Sequence, residues 1–195
     1  MRTKTLYEQA QSAHLIRSSV GRYREMLAKG WSQLTAYPGT VDCGTWVVGN
    51  SAGQCGVSSL WLAKRLDQDF GVAAAFCRGS LAFSAHHVEN ISDHCWLEVK
   101  PSSSEVLALD LTCDQASGFE QMHIFESVYE LDSRGIHYIV RDRLDVSDLP
   151  DSVLERHELL TMNLAQCGIA RHKDDTVKPI KKRVGTPSVS RPGGC

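Results

Sequence analysis

The chain has 195 residues, 42% of them hydrophobic and 23% charged, with a formal net charge of −2 at pH 7. That composition suits one globular domain with a sizeable core, and no apolar run approaches the roughly 20 residues that a membrane-spanning helix requires. The basic residues near Met1 are not followed by an apolar stretch, so no secretory signal is read and the cytoplasm is the expected compartment.

Residues 5–29 read as a helix, because Leu6, Ala10, Ala13, Ile16, Val20, Tyr23 and Leu27 recur at helical spacing and Gly30 is a stop signal. Residues 31–54 hold Pro38, four glycines and many small polar residues, a loop composition in which Thr45–Val48 is a candidate short strand. A second helix should begin near Cys55, set Val57, Leu60, Trp61 and Leu66 on one side, and end at Phe70 and Gly71. Val72–Arg78 reads as a strand. His94–Val99 and Val106–Leu111 flank the turn composition Lys-Pro-Ser-Ser-Ser-Glu and read as a β-hairpin. Gly135–Val140 is a weaker strand, and residues 151–166 form a last helix with Val153, His157, Leu160 and Leu164 on one side.

The segment 171–195 carries seven Lys/Arg against two Asp/Glu, a balance of +5 that leaves −7 on the rest. An acidic body argues against nucleic-acid binding as the domain's main business. Only the basic tail, expected to be disordered, suits nucleic acid or an acidic partner. Residues 1–170 are expected to form a single catalytic-type domain of α+β class. In it a Cys-bearing helix packs on an antiparallel sheet, and residues 1–30 add an N-terminal helix.

Seven cysteines, at 43, 55, 77, 95, 113, 167 and 195, form no C-x-x-C pair. The odd count and scattered spacing read as reduced thiols, several of them buried as small hydrophobes, rather than as a disulfide framework. A metal site built from Cys43, His86, His87, His94 or Cys95 would lack the spacing of known zinc motifs. No metal and no cofactor are expected.

The hairpin brings chemistry together. If it is centred on Ser102, His94 and Asp110 are equidistant from the centre and face each other, with Cβ atoms ~4.5–5.5 Å apart. A carboxylate there would accept the Nδ1 proton of the imidazole. Parity places His94, Trp96 and Glu98 on one face with Val106, Ala108 and Asp110. Cys95, Leu97 and Val99 share the other face with Leu107, Leu109 and Leu111, a wholly apolar set suited to a core. A one-residue slip would scramble both sets.

Gly49 to Trp61 (GNSAGQCGVSSLW) passes from glycine-rich loop to helix at Cys55. A cysteine at a helix N-terminus faces unpaired N–H groups and the positive end of the helix dipole, which favour the thiolate. The same N–H groups suit a developing oxyanion, with Gln54 or Asn50 as candidate side-chain donors. Cys55 is therefore the candidate nucleophile, His94 the base and Asp110 the carboxylate that orients it.

Gly53-Gln54-Cys55-Gly56 resembles the nucleophile segment of papain-like cysteine proteases. His94-x-Trp96 followed by Asp110-Leu-Thr-x-Asp-Gln115 resembles the transglutaminase-like branch of that fold. A pattern of Trp46, Asn50, Gly53-Gln54-Cys55, His94-x-Trp96 and Asp110-Leu111-Thr112-x-Asp114-Gln115 is similar to that of small, poorly characterised bacterial proteins. The resemblance spans roughly residues 46–119. It implies a papain-like/transglutaminase-like fold and a Cys-His-Asp triad, with Cys on a helix and His and Asp on neighbouring strands. It departs from papain at Gly49, where a glutamine would supply the oxyanion donor. Trp46, Trp96 and Gln115 are candidates for cleft walls or for supporting contacts, and equally for the core. The implied chemistry is acyl transfer from a peptide, protein or small amide, with peptidase, deamidase and transglutaminase-like outcomes all open.

Two rivals stand. Gly49-Asn-Ser51-Ala-Gly53 fits G-x-S-x-G, which would make Ser51 the nucleophile with Asp110 and either His123 or His137. Against it, mainly one helix precedes the serine where several strands are needed, and no HGGG-type loop is present. The other rival is a non-catalytic binding module on the same fold.

Overall fold

The computed structural model describes residues 6–40, 47–100 and 105–169. Trp46, Cys43, the hairpin centre at Ser102 and the basic tail 171–195 lie outside the described residues. Within them the protein is α+β, with four α-helices and one open five-stranded antiparallel sheet.

Helix α1 (Leu6–Gly30) buries Ile16, Val20, Tyr23 and Leu27, one stripe at helical spacing. Helix α2 (Cys55–Phe70) buries Val57, Leu60, Trp61, Leu62, Ala63 and Leu66. It stops at Gly71, where the N–H of Gly71 bonds Asp67 O at 2.7 Å and that of Val72 bonds Leu66 O at 3.2 Å. Because Val72 is used in this cap, strand β1 starts later than its apolar run suggests and spans Ala74–Phe83. Val47 and Val48 are 65% and 82% exposed in a turn and form no strand.

Strands β2 (Ile91–Val99) and β3 (Leu107–Asp110) form the expected hairpin. Strand β4 (Ile124–Ser127) and helix α3 (Val128–Ser133) are additions to the expected set. Each is too short to establish a period of its own. Strand β5 (Ile136–Leu144) runs four residues further than expected because it pairs along β1 as far as Phe76. Helix α4 (Asp151–Gln166) closes the described chain. The sheet order is β4-β3-β2-β1-β5.

The sheet has two buried faces. On one, Phe76, Leu97, Val99, Leu107, Leu109 and Leu111 pack with the apolar stripes of α1, α2 and α4. On the other, Cys77, Trp96, Ala108, Ile124 and Tyr138 form a second core with Leu131 of α3. The hairpin's mixed face is therefore also interior. Its charge Glu98 is 4% exposed and held by two bonds from Arg143, at 3.0 and 3.1 Å.

The hairpin register corrects the one expected. Leu97 pairs with Leu109 and Val99 with Leu107, two residues away from the pairing expected. Extending that register sets Asp110 opposite Trp96 and leaves His94 on the diagonal. The displacement is two residues in the pairing, so the sharing of faces survives and the two side chains still meet.

Gly79 sits where this architecture is tightest. It pairs with His94 of β2 and Val140 of β5, beside register shifts on both sides of β1. A Cβ there would lie 2.0 Å from the carbonyl oxygen of Ile139, a backbone atom with no room to retreat. Gly79→Ala is expected to destabilise the fold by about 1–3 kcal/mol, the usual cost of overpacking. Urea unfolding should show a lower midpoint with an unchanged slope.

Candidate active site

Cys55 is the first residue of α2, and the loop before it is tied down at every step. The N–H of Ala52 bonds Asn50 Oδ1 at 2.9 Å, and that of Gln54 bonds Ser51 O at 2.9 Å. Gly53 takes φ +69° in a space that admits no side chain, since a Cβ would lie 2.1 Å from Thr40 Oγ1 and 2.9 Å from Tyr37 N. Its N–H donates to Gln115 Oε1 at 2.9 Å, and its carbonyl accepts from Tyr37 N at 2.8 Å. These bonds fix where the helix begins, and so where the thiol points.

His94 projects from β2 and is completely buried. Its Nε2 lies 2.6 Å from Asp110 Oδ2. The nitrogen is Nε2, not the Nδ1 expected from direct opposition, because the ring approaches Asp110 along the diagonal. Asp110 is saturated with donors. Oδ2 also accepts from Tyr138 Oη at 2.9 Å, and Oδ1 accepts from Thr112 N at 2.8 Å and Thr112 Oγ1 at 3.0 Å. A carboxylate so supplied stays ionised and holds the Nε2–H tautomer of the imidazole. Nδ1 makes no hydrogen bond among the described residues, and Cys55 acts on the ring electrostatically.

The charges follow from these contacts. Burial alone would lower the His94 imidazolium, but Asp110 and then Cys55 reverse this and raise its pKa to about 10. Burial raises Asp110, and the His94 charge together with the His94, Thr112 and Tyr138 bonds brings it below the usual carboxylate value. Contact with the Cys95 thiol holds Cys55 well below an ordinary thiol, opposed by burial and aided by His94. Cys95 is correspondingly raised by its bond to Cys55 and by burial. Of the two sulfurs, Cys55 is the one whose surroundings favour the thiolate, because it combines the influence of His94 with a helix N-terminus. The remaining thiols differ. Cys77 is pushed up to about 12 and Cys113 well above the ordinary value, both mainly by burial.

Cys55 opens on a cleft of about 610 Å³ between the sheet and the start of α4. Gly56, Gln115, Cys95, Ser92 and Arg156 are among its walls. Gly56 presents open space where a side chain would stand. The N–H groups of the first turn of α2 have no intrahelical acceptor and lie beside the thiol, as an oxyanion requires.

The other sequence candidates are placed as follows. Gln54 is fully buried and faces away from the cleft, its Nε2 on Ser32 O and its Oε1 accepting from Thr35 Oγ1, each at 2.9 Å. It anchors α2 and is not an oxyanion donor. Asn50 closes the loop through Oδ1 and is not a cleft wall. Gln115 is a cleft wall, but both ends of its amide are used, on Gly53 N and on Thr112 O at 3.1 Å. Trp96 is fully buried in the second core and stacks on His94 with ring centroids 6.3 Å apart. It backs the imidazole and does not line the cleft.

Ser51 is 4% exposed and is not on the cleft. Asp110 is engaged by His94, and His137 by Asp132 at 2.9 Å and Ser84 at 3.2 Å. The carboxylate that a Ser51 nucleophile needs, and one of its two candidate histidines, are thus committed elsewhere. The Ser84–His137–Asp132 line is itself on the surface, with His137 38% and Asp132 53% exposed, so water competes for every bond in it. Among the described residues, no three His, Cys, Asp or Glu side chains are grouped as a metal would need.

Sequence reading passed over Arg24. It is 3% exposed, donates to Asp114 Oδ2 at 2.6 Å and lies 4.1 Å above the Trp31 ring. The available signal was its position, four residues after Val20 and three before Leu27, inside the buried stripe of α1. Tyr138 and Cys95 were also missed as site residues. Their approach depends on strand pairing that no local motif encodes.

No protein-family model, curated protein or solved structure matches the chain. Its chemistry has to be read from its own geometry. No helix among the described residues is long and apolar enough to cross a membrane.

The thiolate has a measurable signature. Cys55 is expected to react with iodoacetamide at pH 6 at least about tenfold faster than Cys167, read by peptide mass spectrometry. In Asp110→Asn the imidazolium loses its carboxylate, so the His94 pKa falls and the Cys55 pKa rises. The pH of half-maximal alkylation should then move upward. An unmoved profile would show that Asp110 does not govern the pair.

Proposed function

We propose that this protein carries out thiol-dependent acyl chemistry on an amide, through Cys55, His94 and Asp110. The observation that carries the reading is the buried His94–Asp110 hydrogen bond beside Cys55, which lowers the thiol's pKa through His94, with the thiol on the cleft wall and the other two groups in the interior. The Cys55 thiolate attacks the amide carbonyl, and the carbonyl oxygen takes up negative charge beside the first N–H groups of α2. The His94 imidazolium then gives its proton to the leaving nitrogen as the C–N bond breaks, leaving a thioester on Cys55. Water or an amine, deprotonated by His94, attacks the thioester and returns the thiol. Asp110 keeps its negative charge throughout and holds the imidazole in place.

Two further points support this reading. The cysteine is at the start of a helix, and the histidine and aspartate follow on adjacent antiparallel strands. That is the order implied by the resemblance to papain-like and transglutaminase-like enzymes, and we infer that fold for this domain. The site is also costly as a mere binding surface. Two ionised groups, His94 and Asp110, held out of water without chemistry to perform would lose solvation for nothing.

A panel of activated esters and amides, read by intact mass, tests the reading. A covalent acyl adduct should form on the native protein and on Ser51→Ala, and none on Cys55→Ala. His94→Ala should slow adduct formation by about 10²–10⁴-fold, the usual contribution of general acid–base catalysis. An adduct that survives in Cys55→Ala and disappears in Ser51→Ala would reverse the assignment.

A further inference from the structure

The cleft has a charge arrangement that the triad does not explain. Two arginines line it, Arg78 and Arg156. Arg78 is spent on Asp93, with Nε and Nη2 at 3.1 and 3.3 Å from its carboxylate oxygens. Arg156, in the second turn of α4, pairs with no carboxylate among the described residues.

Its guanidinium is nevertheless fixed. Nε donates to Ser152 O at 2.7 Å, one turn back along α4, and the planar group lies 5.1 Å from the centroid of the Tyr37 ring. Holding the group by Nε and by its face leaves the paired Nη edge to the cleft. That edge has the fork geometry that matches a carboxylate. Arg156 and Cys55 line the same cleft. Asp93 is neutralised by Arg78 and Arg141, and Glu89, also on the cleft, repels an anion from its side. A negatively charged group entering the cleft is therefore drawn toward α4.

Resting on the acyl chemistry proposed above, we propose that Arg156 is a specificity-determining residue that binds an anionic group of the substrate. The substrates are then amides that also carry a carboxylate. A structural arginine would need neither the cleft position nor the unpaired fork. An arginine serving only to stabilise the thiolate would favour charged and neutral electrophiles alike.

That difference supplies the test, and it needs no knowledge of the natural substrate. Iodoacetate and iodoacetamide are nearly the same size, and only the first carries a carboxylate. The ratio of their second-order rates at Cys55 is measured by peptide mass on the full chain. In Arg156→Gln the iodoacetate-to-iodoacetamide ratio should fall about tenfold, and in Arg156→Lys, which keeps charge but loses the fork, it should fall less. A ratio that does not change in either variant overturns the proposal, whether the two rates stay the same or fall together. If the native Cys55 reacts with iodoacetamide no faster than Cys167, the acyl chemistry itself fails, and the anion site with it. Matching thermal transitions of the two variants and the native chain show that the fold is intact.

Discussion

The hydrogen-bonded pair of His94 and Asp110, 2.6 Å apart and wholly out of water, is the constraint around which this protein is arranged. Taking two ionised groups out of water costs several kcal/mol per ion before their attraction is counted. Their attraction offsets that cost only with good geometry and with every remaining lone pair supplied. Here it is supplied by Thr112 through both backbone and side chain, and by Tyr138 from β5, three strands away in the sheet order. Trp96 and the rest of the second core exclude solvent from the pair. A buried pair of this kind is a weak source of net stability, so its place in the interior argues for chemistry more than for folding.

The segment from Asp110 to Gln115 has a physical account in this setting. Asp110 holds the imidazole, and Thr112 holds Asp110. Asp114 receives Arg24 from α1, and Gln115 receives the N–H of Gly53 two residues before the cysteine. One short stretch thus ties together the strand with the carboxylate, the N-terminal helix and the loop that aims the thiol. Arg24 stacks on Trp31, and Trp31 Nε1 donates to Ser58 Oγ at 3.0 Å on the helix that carries Cys55. The N-terminal helix is therefore part of the frame of the site, not an appendage to it.

The thiols show how far surroundings outweigh residue type. Cys77 and Cys113 sit in the second core, where burial and nearby carboxylates outweigh the arginines that act on them and make a thiolate unfavourable. Cys55 is half-buried on the cleft wall, and the Cys95 thiol, the imidazolium and the helix terminus act together to favour the charge. The difference lies in two partners, Cys95 and His94, and in the sheet geometry that delivers them.

The sequence by itself determined the periodic elements and the sharing of faces. Helical spacing in α1, α2 and α4, and strict alternation in β2 and β3, are local properties, and parity put His94 and Asp110 on one face whatever the register. It also put Cys55 at a helix start, because a glycine-rich loop meets an amphipathic run there. Tertiary structure alone decided the rest. The register is set by packing, which moved the pairing by two residues and gave Asp110 the Nε2 of His94 in place of Nδ1. Gln54 was drawn from the site into an anchor because Ser32 and Thr35, about 20 residues away, offered its amide better partners than the cleft did. Tyr138, Arg24, Cys95 and Arg156 reach the site from four different elements. Their roles depend on distances across the fold, and no spacing along a single chain encodes those.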